Sequence, residues 1–148
     1  MLFKRMSRAN PEKIFMVVKN SYSTASLTNG QVVQWDYQSE KDGVSVTIPS
    51  GMASNFGNAA AGVVAETIVF GDYGLVQVYG YHSAVRARRE TNDAIAAGSG
   101  IRLPLAAGVF CAEAEDVDGT LNYDNMGFSF DAYTLWTTTT IAAFIKAM

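Results

Sequence analysis

The sequence predicts an all-β protein, a small β-barrel or β-sandwich with an extended N-terminal arm. Three observations predict it. Short runs of β-branched and aromatic residues recur along the chain, each closed by a Gly, Asn or Asp turn signal. No segment carries a long amphipathic helical period, and no repeat of fixed length appears. A chain of 148 residues with 49% hydrophobic residues can bury an adequate core as one domain without disulfides or metals. We divide the chain into an arm, residues 1–13, and a single β-domain, residues 14–148.

The arm is basic. Lys4, Arg5, Arg8 and Lys13 face a single acid, Glu12, and Pro11 breaks any helix before the first strand. Ile14 to Lys19 is a nearly continuous apolar run and reads as a strand. Asn20 to Gly30 is turn-rich and ends in the turn dipeptide Asn29-Gly30. Gln31 to Tyr37 reads as a second strand. Lys41-Asp42-Gly43 turns the chain, and Val44, Val46 and Ile48 alternate with Ser45 and Thr47 before Pro49. Ser50 to Ala60 reads as loop.

The centre of the chain is a predicted β-hairpin. Gly71-Asp72-Tyr73-Gly74 joins one run, Val63 to Phe70, to another, Val76 to Val85. In the second run Val76, Val78 and Gly80 share one face, and Gln77, Tyr79 and Tyr81 the other. Asp93 to Gly98 turns the chain, with room for one helical turn at Ala94 to Gly98. Ile101 to Leu105 and Gly108 to Ala112 are short apolar runs. Met126 to Trp136 alternates Phe128, Phe130 and Ala132 with Ser129, Asp131 and Tyr133. Ile141 to Met148 fits either a closing strand or a short terminal helix turn, because alanine favours neither β structure nor a burial pattern.

Composition narrows the function classes. The formal net charge of -3 gives no global attraction to nucleic acid. No run approaches the roughly 20 apolar residues of a membrane span. Met1 to Met6 is positively charged but leads into no apolar core, so no secretory signal is expected. Cys111 is the one cysteine, which rules out an internal disulfide and a Cys-rich metal site. Between Phe110 and Ala112 it reads as a buried small hydrophobe.

Catalytic signals are missing from the sequence. His82 is the one histidine, and no Gly-x-Ser-x-Gly or phosphate-binding glycine motif accompanies it. The acidic stretch Glu113 to Asn125 fails the calcium-loop template, which would place Ala114 first and Asn125 twelfth. No enzyme activity, cofactor or metal site is expected.

Binding candidates are clearer. Leu2, Phe3 and Met6 are apolar residues with no local partners in the arm, beside Lys4, Arg5 and Arg8. Arg86, Arg88 and Arg89 form the densest basic patch, suited to carboxylates. Trp35, Tyr37, Tyr79, Tyr81, Tyr133 and Trp136 fit either core packing or, if exposed on a sheet, stacking on sugar rings, as in a carbohydrate-binding β-module.

Ala61-Gly62-Val63-Val64, Gly71-Asp72-Tyr73-Gly74-Leu75-Val76-Gln77-Val78-Tyr79-Gly80 and Asp93-Ala94-Ile95-Ala96-Ala97-Gly98 carry a resemblance. Together they resemble the small β-barrel decoration, or cement, proteins of tailed-bacteriophage heads, over about a third of the chain. The resemblance implies a virion structural protein on the capsid surface, assembled in the host cytoplasm. It implies the major capsid protein as partner and a homo-oligomer, with a trimer favoured. Leu2, Phe3, Lys4, Arg5, Met6, Arg8, Arg86, Arg88 and Arg89 are the residues expected to meet that partner. The longer N-terminal half and the aromatic C-terminal strand depart from the family pattern and leave other head or tail roles open.

Overall fold

The computed structural model describes residues 12–23, 25–50, 59–89, 95–104, 107–108, 111–113, 126–134 and 136–147. Among them every regular element is a strand: β1 Ile14–Asn20, β2 Val32–Trp35, β3 Ser45–Thr47, β4 Ala60–Val64, β5 Tyr73–Ala87, β6 Gly100–Arg102, β7 Ala112–Glu113, β8 Gly127–Ser129 and β9 Thr139–Lys146. The arm lies outside the described residues except Glu12 and Lys13, and so does most of the acidic stretch.

The strands form one sheet in the order β1-β3-β2-β4-β5-β9-β8-β6-β7, and an added β1–β5 pairing closes the first five into a barrel. β1 and β3 run parallel through Lys19↔Ser45, whereas β1 and β5 run antiparallel from Val18↔Gly74 to Phe15↔Gln77. Closure removes the free edges that an open sheet would expose. The remaining strands extend from the far end of β5 as an outer wing, where Tyr81 pairs with Phe144 and Ala87 with Thr139.

β5 is therefore the shared spine, long enough at 15 residues to serve both halves. Its first half belongs to the barrel and its second half to the wing. Gly80 marks the passage. Its φ is +100°, and a Cβ there would strike the carbonyl oxygen of Glu12. Only glycine meets both requirements, positive φ and close backbone approach.

Two cores follow from this layout. Inside the barrel lie Val18, Leu27, Val33, Val46, Val64, Ile68, Val76 and Val78. Between the barrel wall and the wing lie Val32, Val63, Val85, Ile95, Ile101, Met126, Ile141 and Ile145. Neighbours Val32 and Val33, and likewise Val63 and Val64, point into different cores. Successive strand side chains face opposite sides, so a strand covered on both sides needs two apolar residues in a row. Those Val-Val pairs are the local reason that β2 and β4 sit centrally.

The central hairpin is wider than the sequence suggests. β4 ends at Val64, and β5 begins at Tyr73. The outer part of the first run, Thr67 to Phe70, is connection. Ile68 alone pairs there, with Leu27, in an isolated bridge. The turn falls at Val69 to Asp72, where the Asp72 N–H donates to Val69 O at 3.0 Å and Gly71 has φ +83°. Asn20, at the end of the adjacent strand β1, holds this connection, its Nδ2 donating to Ile68 O at 2.9 Å. Tertiary pairing with β1 thus overrides the β-propensity of Val69 and Phe70, which are 54% exposed. The C-terminal ambiguity resolves as a strand, β9, whose Ile141, Ala143 and Ile145 alternate inward.

Candidate functional site

The wing presents an aromatic face to solvent. Register builds it row by row, because residues directly opposite in an antiparallel pair share one side of the sheet. Tyr79 lies opposite both Ile14 and Lys146, and Phe144 lies opposite both Tyr81 and Phe128. Inward residues of β9 fill the second core, so Phe144 and Lys146 point out. Phe130 joins the next row, where its N–H donates to Ala142 O at 2.8 Å.

The rings form a continuous surface. Phe128 stacks on Phe144 with centroids 5.4 Å apart and planes 10° apart. Tyr79 meets Phe144 edge-on at 5.1 Å, Phe128 meets Phe130 edge-on at 5.1 Å, and Tyr81 meets Phe130 at 5.7 Å. Phe128 and Phe130 are 37% and 47% exposed. The buried Ser129 between them fixes this orientation. Its hydroxyl donates to Asp131 O at 2.6 Å, and the Asp131 carboxylate accepts the Ala142 N–H at 2.7 Å. A second apolar strip, Phe15 and Val17 on β1 with Leu75 on β5, lies on the barrel exterior.

A cleft of about 380 Å³ with mixed polar and apolar walls opens between β2, the start of the turn-rich segment after β1, and the loop that follows Asp36. Asp36 organises it. Its Oδ2 accepts from Ser21 Oγ at 2.8 Å, and its Oδ1 accepts from the Ser39 N–H at 2.9 Å. Burial would raise the Asp36 carboxyl pKa, but those two bonds and the N–H groups of Gln38 and Glu40 together hold it below its ordinary value. Gln34 also lines the cleft. It is 2% exposed, and its Oε1 has no hydrogen-bond partner.

The remaining candidates are engaged within the chain. Arg86 Nη2 donates to Thr28 Oγ1 at 2.9 Å, and Arg88 Nε to Trp136 O at 3.1 Å. Arg89 donates to Thr134 O and lies 4.8 Å from the centre of the Trp136 ring, a cation–π contact. Arg88 and Arg89 therefore staple the chain just after β5 to the segment before β9, and Arg86 ties β5 to the segment before β2. Leu2, Phe3, Lys4, Arg5, Met6 and Arg8 lie outside the described residues.

His82 is buried beside Tyr81, and its Nδ1 accepts the Ala84 N–H at 3.1 Å. Burial, and then the charge of Lys13, lower its pKa. Cys111 is fully buried, and burial pushes its thiol up to about 12. Among the described residues no three His, Cys, Asp or Glu side chains gather as a metal site, and no helix is long and apolar enough to cross a membrane.

No protein-family model and no curated protein matches the chain. Among solved structures it is similar to the N base of the head fiber gp8.5 of bacteriophage phi29, with 11% identity and a TM-score of 0.48. That alignment covers 92% of this chain and 96% of the other.

The aromatic residues sort differently from their appearance in the sequence. Tyr79 and Tyr81 belong to the exposed face. Tyr133 is in the second core, Trp35 packs against the barrel core, Tyr37 lines the cleft, and Trp136 carries Arg89. Phe128, Phe130 and Phe144 complete the face without having stood out as binding residues. The signal for the first two was present in the Phe-Ser-Phe alternation, but alternation alone does not say which side is wet. Gln34 and Asp36 carried no motif at all.

Proposed function

We propose that the protein is a non-enzymatic virion structural protein on the capsid surface of a tailed bacteriophage, a decoration or cement protein that binds and stabilises the head lattice. The aromatic face of β5, β9 and β8 carries the reading. Cores of protein interfaces are rich in Tyr and Phe and poor in Lys, Glu and Asp. This face matches that composition, with Lys146 at its margin. Its rings are already held by one another and by Ser129, so docking orders few side chains.

The sequence resemblance supplies the partner, the major capsid protein, and a homo-oligomeric state, with a trimer favoured. Repetition over a lattice turns a modest contact per subunit into firm attachment. Leu2, Phe3, Lys4, Arg5, Met6 and Arg8 add an apolar and basic arm that reaches a neighbouring subunit. Arg86, Arg88 and Arg89 are the further basic residues assigned to the capsid contact, beyond their hydrogen bonds within the chain. Assembly in the host cytoplasm suits the buried, unbridged thiol of Cys111.

The protein composition of purified virions tests this. A decoration protein is present in copy number comparable to the major capsid protein. Absence from purified particles overturns the reading.

A further inference from the structure

We propose that the apolar strip on the barrel exterior is the docking surface for the N-terminal arm of a second copy of this chain. Leu2, Phe3 and Met6 of that copy cover the strip, and its Lys4, Arg5 and Arg8 meet an acidic rim. This rests on the arm reaching a neighbouring subunit of a virion protein, and adds the surface that receives it. The aromatic face stays with the major capsid protein.

The first observation is the strip itself. Val17 on β1 lies opposite Leu75 on β5, and Lys19 lies opposite Tyr73, so these residues share one side of the sheet with Phe15. The alternate residues Val18, Val76 and Val78 fill the barrel core, which sends this side outward. Val17 is 62% exposed and Tyr73 65%. The turn before β5 extends the strip with the exposed Val69 and Phe70. A contiguous exposed apolar surface marks an interaction site.

The second observation is charge complementarity. Glu66 borders the strip, its Oε1 accepting the Leu75 N–H at 2.9 Å. Asp72 stands at its end, where its carbonyl oxygen accepts the Asn20 N–H at 3.0 Å. Neither carboxylate has an ion-pair partner among the described residues, whereas the Lys19 ammonium is offset by Glu40 at 3.9 Å. The rim is therefore acidic and suits an apolar segment that carries basic residues. The arm has that composition, with Leu2, Phe3 and Met6 among Lys4, Arg5 and Arg8 and no acid before Glu12.

The third observation separates a second copy from the arm's own chain. The arm joins β1 beside Gly80, where the Glu12 carbonyl lies against that glycine. Tyr73 and Asp72 are at the opposite end of the strip, about 23 Å along β5 at about 3.3 Å per residue. To return over its own strip the arm must first reverse, which takes about four residues. From Glu12, Lys4 then reaches back only about 13 Å and Leu2 about 20 Å. Both fall short of the Tyr73 end. The arm of a neighbouring copy has no such limit.

Sedimentation velocity of the full chain over a range of concentrations is the test. The expected result is reversible self-association. Val17→Asp, at an exposed position, should keep its far-UV spectrum and Tm and associate roughly tenfold more weakly, the loss of one buried aliphatic side chain. Lys4→Glu with Arg5→Glu should weaken association, and so should Glu66→Lys with Asp72→Lys. Mixing these two charge-reversed chains should restore association between unlike chains, which requires an arm on one copy and a rim on another. Asp72→Lys alone replaces the second pair should Glu66→Lys not fold, since Glu66 also holds the Leu75 N–H. A full chain that is monomeric at every concentration, undiminished association of folded Val17→Asp, or no restoration on mixing each overturns the proposal. The protein content of virions is unaffected by these outcomes and tests capsid attachment separately.

Discussion

Gly80→Ala tests the hinge on which both halves of the fold depend. The residue has φ +100°, a backbone conformation that costs an L-residue about 1–3 kcal/mol. The added methyl also strikes the Glu12 carbonyl. The start of β1 must then move away from β5, and a hydrogen bond near the Ile14↔Tyr79 pairing is strained at about 1 kcal/mol. Together these give a loss of about 3 kcal/mol. Gly43→Ala is the internal control, with φ +70° in an exposed turn and nothing within 4 Å of the new Cβ. It should cost only the left-handed penalty of about 1–2 kcal/mol. Equilibrium urea denaturation of both variants measures the difference at constant m. If Gly80→Ala loses no more stability than Gly43→Ala, the close approach of β1 to Gly80 is not a constraint, and the account of the hinge fails.

Further expectations follow from single residues. The Cys111 thiol, buried and pushed up to about 12, should resist alkylation at neutral pH in the folded protein and react freely in denaturant. His82 has a folded pKa below its ordinary 6.5, so the unfolded chain takes up the proton first; stability is full above pH 6.5 and falls as pH drops toward the folded pKa. His82→Asn should flatten that part of a Tm-against-pH profile. The Asp42 carboxylate accepts the N–H groups of Val44 and Ser45 and the Ser45 hydroxyl, and an NMR titration should place its midpoint at about 2 instead of 3.8.

Much of the fold is written locally. Ile14 to Lys19, the Val44-Val46-Ile48 alternation and the long run after Gly74 each specify a strand that the structure contains, because their side-chain pattern matches a pleated surface. What local pattern does not carry is which side of each strand is covered. Val32-Val33 and Val63-Val64 reveal two-sided burial only once the wing is known to lie over the barrel wall. Phe128 and Phe130 alternate as a buried face would, yet pairing of Gly127 with Ile145 and Ser129 with Ala143 sends them outward. The cleft is less legible still. Ser21 and Asp36 meet because β1 runs parallel to β3, a long-range contact with no counterpart in either residue's neighbourhood. Arg86, Arg88 and Arg89 look like a free basic run in sequence, but each finds an acceptor on a distant segment.

The most direct test of the proposed attachment is a cryo-EM map of the native phage particle. The account predicts density for this domain on the outside of the head, with Phe128, Phe130 and Phe144 turned against the major capsid protein. A domain whose aromatic face points away from the shell, or particles with no density for it, would contradict the account.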